Sequence, residues 1–468
     1  MRIHPAGPRS GELVHDGVLG APPADLNALD PHVWPLGVAR HEGGHLTVRG
    51  HDVRELTAQH GTPAFLLDEA DLRQRCRDYL AAFGGAAVFY AAKAFLCGTV
   101  ARWVQEEGLG LDVCTGGELA VAVRSGFPGT RMLLHGNNKS TAELAAALDA
   151  GVGRVVVDSL TEIDRLSRLC VERGTTQRVL VRATVGVEAH THEFIATAHE
   201  DQKFGFSLAG GEALDAVRRV SEAPGLELVG LHSHIGSQIF DTGGFEVAAH
   251  RVVGLLAEVR SVLGIELGEL NLGGGFGIAY TSADDPVDLT EMAGSLRQIV
   301  ERECAAYGIG VPALAVEPGR GIVGPGTVTV YEVGTVKPVP GLRTFVSVDG
   351  GMSDNLRTAL YDADYSVTLA NRASEAEPML ARVVGKHCES GDVVVKDAWL
   401  PADVGPGDLL AVAATGAYCR SMSSSYNHVG RPPVVAVSEA GTEVLLRRES
   451  LADLLALDTA LAEGPGGF

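Results

Sequence analysis

The feature of the sequence that most constrains its fold is an alternation of short β-type runs with longer helix-type segments, beginning near residue 86. The β-type runs lie at 87–91, 109–113, 131–135, 154–158, 178–183, 226–232, 268–272 and 313–317. Between them, segments such as STAELAAALDAG and TEMAGSLRQIVERECAAYG place apolar residues at helical spacing. Eight such repeats predict an α/β protein with a (β/α)8, TIM-like barrel. A doubly wound open sheet is the alternative, although it would yield eight strands less naturally.

The sequence after Arg320 changes to β-type runs separated by Gly, Pro and Asp turns. These runs are TVTVYEV, RTFVSVDGG, SGDVVVKDAWL, GDLLAVAA and PPVVAVSEAGTEVLLRRE. They predict a second, mostly antiparallel β domain, either a sandwich or a barrel. A short amphipathic helix, SLADLLALDTAL, is expected near the C-terminal end.

These two patterns divide the chain into two predicted domains and a leader. The barrel is assigned to 60–322 and the β domain to 323–468, with an N-terminal contribution from 31–59. Residues 1–30 are predicted to be a flexible leader, because the opening MRIHPAGPRSGELVHDG contains no apolar segment.

Composition and charge exclude several classes of function. The formal net charge of −21 argues against a nucleic-acid surface, and 46% hydrophobic with 21% charged residues is typical of a globular protein. Seven cysteines without a CxxC pair indicate reduced thiols rather than disulfides or a metal site. No stretch approaches the roughly 20 apolar residues that cross a membrane. We therefore predict a cytoplasmic protein that binds no nucleic acid, membrane or metal.

Polar residues collect where the predicted barrel strands end, the rim at which barrel enzymes place their active sites. Taken separately, several have ordinary alternatives: Lys93 could extend its ammonium group to water, and His232 could be a structural histidine. Asp158 could cap a helix together with Ser159. The rim residues are Lys93, Asp112, Glu118, His135, Asp158, Arg182, His232, His234, 273–275 and 317–320. Their collection on one rim favours an active site.

Two motifs on this rim suggest a cofactor that carries a phosphate. NLGGGFG (271–277) follows a strand, and its glycines would let backbone N–H groups approach a phosphate, although Gly-rich turns are common. EPGR (317–320) combines a carboxylate, a tight turn and a guanidinium group. With Lys93 as a Schiff-base amine and Glu317 facing a pyridine nitrogen, the set suggests pyridoxal phosphate.

With these motifs the chain resembles the alanine racemase-type (fold III) pyridoxal phosphate decarboxylases, and most closely the diaminopimelate decarboxylases. The matching segments follow the family's order along most of the chain. They are YAAKA around Lys93, LDVCTGGE, HGNNKS, DQKFGFS (201–207), HSHIGSQ, NLGGGFG, EPGRGIV, VDGGMSDNLRTALY, HCESGD, GAYC and MSSSYN. Some relatives have Asn at the position of Phe95, a difference expected only to alter the wall of the pocket.

The resemblance implies a role for individual residues around the cofactor. Lys93 would form the Schiff base, His234 would stack on the ring, and Glu317 would bond to the pyridine nitrogen, where alanine racemases of this fold have arginine. A glutamate keeps that nitrogen protonated, which favours decarboxylation over racemisation. The other implied cofactor-binding residues are Asp112, Ser237, Gly274, Gly275, Pro318, Gly319, Arg320 and Tyr418.

The resemblance also implies the reaction: meso-2,6-diaminopimelate would be decarboxylated to L-lysine and CO2 by a carboxy-lyase, as the last step of lysine biosynthesis. The distal carboxylate of this substrate would be costly to bury unpaired. Cys388 would be the catalytic proton donor and would reach into a neighbouring subunit, so that a homodimer shares its active sites. The implied substrate-binding residues are Arg320, Arg357, Tyr361, Glu389 and Tyr418.

Two alternatives stay open on the sequence alone. A non-catalytic relative that acts by binding would have lost cofactor or proton-donor residues, whereas Lys93, Glu317 and Cys388 are all present. A decarboxylase for L-ornithine, L-lysine or carboxynorspermidine is the other alternative. Ornithine decarboxylases of this fold need only an acid for a distal ammonium group, and they often have Cys-Asp where this chain has Cys388 and Glu389.

Overall fold

A computed structural model describes residues 21–186 and 203–461. Within these ranges the chain forms two compact units, named here the barrel unit and the sheet unit. Strands and helices are numbered in chain order across both. The barrel unit comprises Arg73–Ile278 and Asp285–Ile322, and the sheet unit comprises the described residues up to Leu72, the segment Ala279–Asp284 and the described residues from Val323 onward.

The barrel unit is built on a closed ring of eight parallel strands. They are β5 (Ala87–Ala91), β6 (Gly110–Val113), β7 (Met132–Leu134), β8 (Arg154–Val157), β9 (Gln177–Thr184), β11 (Leu226–His232), β12 (Glu269–Asn271) and β13 (Ala313–Val316). Each strand pairs with the next, and β13 closes the ring by pairing with β5, with Ala315 opposite Ala87. The two-residue strand β10 (Phe206–Ser207) pairs outside the ring with the end of β9. The predicted (β/α)8 barrel is confirmed, and each predicted run overlaps one of the eight strands.

Helices connect the barrel strands, and the local sequence explains where two of them begin. They are α2 (Glu69–Ala82), α3 (Gly98–Glu106), α4 (Gly116–Arg124), α5 (Thr141–Asp149), α6 (Leu160–Arg173), α7 (Glu212–Glu222), α8 (Gly243–Leu263), α9 (Leu289–Tyr307) and α10 (Arg320–Val323). Ser140 and Glu143 form a capping box at the start of α5. Ser159 caps α6 by accepting the N–H of Glu162, so Asp158 is not the cap.

Apolar side chains from successive strands fill the inside of the barrel. The core cluster contains Phe89, Leu133, Val156, Leu180 and Val229, with Ala315 packed against it. Gly110 makes room for the largest of these side chains, because a Cβ at that position would lie 2.2 Å from the Phe89 ring. Each buried side chain of this size contributes about 1.5–3 kcal/mol. The barrel is therefore a packed support for its rim and not a channel.

The sheet unit contains the remaining strands and three short helices. The strands are β1 (Val38–Arg40), β2 (Leu46–Val48), β3 (His51–Asp52), β4 (Ala64–Asp68), β14 (Thr327–Val339), β15 (Arg343–Val348), β16 (Val367–Leu369), β17 (Pro378–Val384), β18 (Val393–Pro401), β19 (Leu409–Val412), β20 (Val434–Ser438) and β21 (Gly441–Leu446). The helices are α1 (Val53–His60), α11 (Arg357–Tyr361) and α12 (Leu451–Leu455). β1 to β3 form a small sheet, while the other strands form a nine-stranded sheet with the main order β18-β17-β15-β14-β4-β20-β21. Most pairings are antiparallel, as predicted.

The boundaries differ from the sequence-based ones at the N-terminal side. β4 was assigned to the barrel by the boundary at residue 60, but it pairs with β14 and β20 in the sheet unit. Those partners are remote in sequence, so a local apolar run does not reveal them. Part of the predicted leader is also fixed, because the Asn27 side chain exchanges two hydrogen bonds with the backbone of Ser374. Residues 1–20 of that leader lie outside the described residues.

Three shorter elements also depart from the expectation. The strands β16 and β17 were not predicted, and the expected C-terminal helix is limited to the five residues of α12. β16 has only three residues, and β17 begins at Pro378, a residue that weakens a strand assignment, so these runs do not stand out by pattern. Among the described residues, no helix combines the length and the apolar character needed to span a membrane.

Candidate active site

The carboxylate of Glu317 lies at the centre of the polar rim, directly after β13. Its Oε1 accepts a hydrogen bond from Nε2 of His135 at 2.8 Å and another from Nδ2 of Asn271 at 2.8 Å. Its Oε2 accepts from Nε2 of His232 at 3.3 Å. The four residues stand at the ends of β7, β11, β12 and β13, and all are buried. Parallel strands thus bring together three donors and one acceptor that are distant in sequence.

This arrangement stabilises the anionic form of Glu317. Burial alone would raise the pKa of the carboxyl group, but the electrostatic attraction and hydrogen bonds of His135 and His232 hold that pKa well below its usual range. Burial lowers the pKa of His232 to about 4, against an attraction from Glu317 that raises it. At neutral pH, Glu317 is therefore a buried carboxylate and His232 a neutral imidazole that donates from Nε2.

The glycines of NLGGGFG form a backbone cradle beside this carboxylate. Gly273 and Gly275 have positive φ angles of +70° and +116°, and a Cβ at Gly274 would lie 2.2 Å from the carbonyl oxygen of Glu317. The cradle is connected to Glu317 in two ways, through the side chain of Asn271 and through the backbone. Oδ1 of Asn271 accepts the N–H of Gly273 at 2.8 Å, and the Gly273 carbonyl accepts the N–H of Glu317 at 2.8 Å. The cradle and the carboxylate thus keep a fixed spacing.

His234 contacts the cradle and lies within the electrostatic reach of Lys93. Its Nδ1 accepts the N–H of Gly274 at 3.2 Å. Burial lowers the pKa of His234 well below its usual value, and the positive charges of Lys93 and Arg182 lower it further. The imidazole is therefore neutral, and it presents a flat ring near the amine of Lys93.

Lys93 follows β5 in a single turn of 3-10 helix, Ala92–Ala94, and its side chain is exposed while its neighbours in the turn are buried. Asp112, at the end of the adjacent strand β6, is buried. Burial raises the pKa of Asp112, and the charges of His135 and Lys93 oppose that rise. The amine of Lys93 therefore lies within the electrostatic reach of the rim groups but projects from the barrel wall.

The EPGR segment joins the cradle to the strand that precedes Lys93. The carbonyl of Pro318 accepts the N–H of Ala91 at 3.0 Å, and a Cβ at Gly319 would lie 3.0 Å from the Cβ of Ala91. Arg320 is buried and donates from Nη2 to Oγ of Ser237 at 2.9 Å. A guanidinium group, a hydroxyl group and a glycine cradle form a donor set that suits a phosphate, and with Lys93 and Glu317 they fit pyridoxal phosphate.

A second lysine of the barrel has a structural role. Lys139 is buried, and its Nζ contacts the carbonyl oxygens of Gly136 and Val156 at 2.7 Å and Oε1 of Glu162 at 2.8 Å. These contacts use all three of its N–H donors. Lys139 is therefore committed to holding the loop after β7 against α6, which leaves Lys93 as the better candidate for a reactive amine.

Apart from Arg320, which belongs to the barrel unit, the predicted substrate residues lie in the sheet unit, where Arg357 forms a buried cluster. Its guanidinium group stacks over Tyr280 at 4.4 Å and over Tyr365 at 5.4 Å, and it donates to the Tyr365 hydroxyl group. Oη of Tyr365 also contacts Sγ of Cys419 at 3.5 Å. No aspartate or glutamate of the described chain forms an ion pair with Arg357, and its Nε has no hydrogen-bond partner there. Tyr361, one turn further along α11, is half-buried.

Cys388 and Glu389 lie in the loop between β17 and β18, and both side chains are exposed. The loop itself is held firmly. The Asp392 carboxylate accepts the backbone N–H of His387 at 2.7 Å, and Nε2 of His387 contacts Oγ of Ser353 at 2.8 Å. The thiol of Cys388 is thus presented from an anchored loop. Tyr418 is half-buried and adopts a positive φ of +61°.

Other rim residues have structural partners. Asp158 lies 3.8 Å from Arg182 and accepts the N–H of Gly205 at 2.6 Å, and Oε2 of Glu118 accepts the N–H of Cys114 at 2.6 Å. The first two residues of the DQKFGFS motif, 201–202, lie outside the described residues.

Sequence reasoning missed the partners that hold the key side chains. In the sequence, Asn271 is only the first residue of a glycine motif, and His135 and His232 are rim residues without an identified partner, whereas all three bond to Glu317 in the structure. Their positions at the ends of barrel strands are the signal that the sequence offers. Tyr280 and Tyr365, which flank Arg357, left no recognisable pattern.

The family comparison agrees with this geometry. Residues 69–324 match the pyridoxal binding domain of the pyridoxal-dependent decarboxylases, and residues 325–416 match the C-terminal sheet domain of the same enzymes. Together these matches cover most of the chain.

Individual relatives point to one group within this family, the diaminopimelate decarboxylases. The chain is 59% identical over 443 residues to a diaminopimelate decarboxylase of Mycobacterium tuberculosis, covering 93% of this chain and 99% of that one. It is 44% identical over 429 residues to the Bacillus subtilis enzyme of the same name, covering 91% and 98% of the two chains.

Solved structures give the same answer. A diaminopimelate decarboxylase from M. jannaschi superposes with a TM-score of 0.83 at 31% identity, covering 91% of this chain and 99% of the other. The Helicobacter pylori enzyme complexed with L-lysine superposes with a TM-score of 0.80 at 30% identity, covering 87% and 100%. The strand-end carboxylate, the glycine cradle and the projecting lysine are thus found on a chain that belongs to the diaminopimelate decarboxylases, within the pyridoxal-dependent decarboxylase family.

Proposed function

We propose that Lys93, Glu317 and Cys388 carry out the reaction of this family, the decarboxylation of meso-2,6-diaminopimelate to L-lysine and CO2. The protein is a pyridoxal phosphate-dependent carboxy-lyase of the last step of lysine biosynthesis. The observation that best supports the assignment of the site is the buried carboxylate of Glu317 with its three hydrogen-bond donors. An anion fixed in this way is the acceptor that a protonated pyridine nitrogen requires.

When bound, pyridoxal phosphate supplies an aldehyde that condenses with amines and a ring that accepts the electrons of the bond to the departing carboxylate. In the proposal, Lys93 provides the amine that anchors the cofactor, and neutral His234 packs against the ring. Ser237 and Arg320, with the backbone of Gly274, Gly275, Pro318 and Gly319, bind the phosphate. Asp112 and Tyr418 complete the cofactor pocket.

Glu317 has the role that favours decarboxylation over racemisation. Its carboxylate holds the proton on the pyridine nitrogen, because a charge-assisted hydrogen bond favours the charged form of the donor. By holding that proton, Glu317 would give a bound cofactor the electron-withdrawing ring that loss of CO2 requires. Neutral His232 adds no competing positive charge beside it.

Arg357 supports diaminopimelate over substrates without a distal carboxylate. Burying the charged guanidinium group of Arg357 without a carboxylate partner in the described chain costs free energy. The carboxylate of a bound substrate would offset that cost. Ornithine and lysine decarboxylases have no such anion to receive. In the proposal Arg357, Tyr361 and Arg320 bind the distal carboxylate, while Glu389 and Tyr418 bind the distal ammonium group.

The direct test of this function is a substrate panel. The purified holoenzyme should release CO2 from meso-diaminopimelate and form L-lysine, with much lower kcat/KM for the other diaminopimelate stereoisomers, L-lysine, L-ornithine and L-arginine. Preferred release of CO2 from ornithine or lysine would contradict the assigned substrate.

We expect Arg357→Ala to raise KM for meso-diaminopimelate about 10- to 100-fold with little change in kcat, because one charge-assisted hydrogen bond to the distal carboxylate is lost. Inhibition constants provide the check. L-lysine keeps that carboxylate and should inhibit the variant more weakly, whereas cadaverine lacks it and should inhibit both proteins equally.

The matched control is Arg447→Ala, which removes an exposed arginine of the sheet unit that pairs with Asp453. It should leave KM unchanged. Equal weakening of L-lysine and cadaverine in Arg357→Ala would show that Arg357 supports the fold of the site and does not bind the carboxylate. Pyridoxal phosphate content, measured in parallel, should be the same in all three proteins.

The assembly, the compartment and the domain limits are also proposals. The exposure of Cys388 and Glu389 supports a homodimer in which this loop enters the partner's barrel, because a proton donor works best when shielded from water. All seven cysteines are free thiols, which supports the cytoplasm. We propose the barrel and sheet units as the two functional domains, with β4 in the second.

A further inference from the structure

The hydrogen bonds around Glu317 determine which lone pair of its carboxylate remains available to a bound cofactor. An ionised carboxylate is acceptor-only and has about four lone-pair sites, two on each oxygen. His135 and Asn271 use both sites of Oε1, and His232 uses one site of Oε2. One lone pair, on Oε2, is left.

We propose that His135, His232 and Asn271 are positioning residues for the decarboxylation. Together they hold the Glu317 carboxylate in a single orientation and leave only the second lone pair of Oε2 for the pyridine N–H. This inference rests on the proposed cofactor role of Glu317 and assigns the atom that performs it.

Each of the three donors is itself fixed. Nδ2 of Asn271 must donate to Glu317, because Oδ1 of the same amide accepts the N–H of Gly273 at 2.8 Å. His135 and His232 pack edge to face, with ring centroids 4.7 Å apart and planes at 65°. Since a carboxylate can only accept, both imidazoles must donate from Nε2. The orientation of Glu317 is therefore set by groups that cannot easily turn away.

One of these donors, Asn271, also connects the two ends of the cofactor site. Asn271 bonds to Glu317 through one end of its amide and to the glycine cradle through the other. The backbone of Glu317 returns a bond to the Gly273 carbonyl. A shift of the carboxylate would thus disturb the cradle, so Asn271 also fixes the spacing between the nitrogen acceptor and the phosphate site.

A metal ion is a poorer explanation of this cluster. Ligand atoms of His135, His232 and Glu317 all lie within 4.8 Å of one another. However, the two atoms joining His135 and Glu317 are 2.8 Å apart, a hydrogen-bond distance, whereas ligands of a tetrahedral zinc ion stand about 3.3 Å apart. The carboxylate oxygens of Glu317 and the Nε2 atoms of both histidines are already joined by hydrogen bonds.

The test measures the protonation of the ring nitrogen of the cofactor directly. Apoenzyme is reconstituted with pyridoxal phosphate carrying 15N in its ring, and the 15N signal and the cofactor dissociation constant are measured for each protein. In His135→Phe and His232→Phe the signal should move toward that of the unprotonated ring, and the dissociation constant should rise about tenfold. His135→Gln and His232→Gln, whose amides can still donate, should recover part of both effects.

Three further variants keep the test decisive. His135→Asn and His232→Asn have polar side chains too short to reach Glu317, and they replace the Phe variants if those fail to fold. His250→Phe removes an exposed histidine of α8 outside the site and should change neither readout.

Glu317→Gln distinguishes failure of the proposed cofactor role of Glu317 from failure of the positioning role of the two histidines. If it leaves the 15N signal protonated, the proposed role of Glu317 is wrong. If Glu317→Gln shifts the signal but the folded His135 and His232 variants all keep that of the wild type, Glu317 binds the nitrogen and the positioning role is overturned. Graded shifts, with recovery in the Gln variants, support it.

Discussion

Lys93→Ala is expected to remove covalent attachment of pyridoxal phosphate and to lower kcat by about a thousandfold or more. The reason is that no neighbouring amine can replace it in the described barrel. Lys139 has all its N–H donors occupied, and Lys203 lies over the ring of Phe204 at 5.0 Å. The measurement is borohydride reduction of the holoenzyme followed by mass spectrometry of its peptides, with CO2 release assayed in parallel.

In the wild-type protein the added cofactor mass should appear on the peptide that contains Lys93, and in Lys93→Ala on none. The control is Lys337→Ala, an exposed lysine at the end of β14, which should keep both the label and the activity. A label on Lys139 or Lys203 of the wild-type protein would refute the assignment of Lys93. Non-covalent binding should persist in Lys93→Ala, because the cradle and Arg320 are untouched.

The barrel could be predicted because its signal is local and repeated. Each strand of the ring is a short apolar run followed by a helix with its own periodicity, so eight repeats identify the fold without knowledge of any contact. The rim followed from the same rule, since parallel strands end on one side. Lys93 and Glu317 could therefore be selected as residue types at predictable positions.

What could not be predicted depends on pairings between distant segments. β4 has the same apolar character as a barrel strand, and only its partners β14 and β20 place it in the sheet unit. The three donors around Glu317 come from β7, β11 and β12, and a lone histidine or asparagine at a strand end is common in proteins. Their role becomes visible only in the structure, where the three donor atoms lie 2.8–3.3 Å from the carboxylate oxygens of Glu317. These distances cannot be read from residue spacing in the sequence.

Arg357 illustrates an intermediate case. Its motif identified it as a candidate for binding a carboxylate, but the two tyrosines that orient it come from separate parts of the sheet unit, Tyr280 and Tyr365. The structure adds what the motif lacked: a buried cation that contacts two tyrosine rings and has no carboxylate partner in the described chain.

The second large effect is expected for Cys388→Ala, which should bind cofactor and substrate normally but turn over about 10²- to 10⁴-fold more slowly. A thiol carries a proton at neutral pH and can deliver it to the substrate carbon that has lost CO2, whereas a methyl group cannot. Cys304→Ala, which removes a buried cysteine of α9, is the control and should retain full kcat. Full activity of Cys388→Ala would identify another group as the proton donor.

Mixing the two inactive proteins tests whether the site is shared. If Cys388 serves the partner's Lys93, a heterodimer of Lys93→Ala and Cys388→Ala chains contains one site with both residues intact and one with neither. Random exchange makes about half of the dimers heterodimers, so activity should recover to about one quarter of the wild-type value. If each chain used its own Cys388, every site in the mixture would lack one residue and no activity would return. Subunit exchange is verified with differently tagged chains, and a mixture that stays inactive after exchange would exclude the shared site.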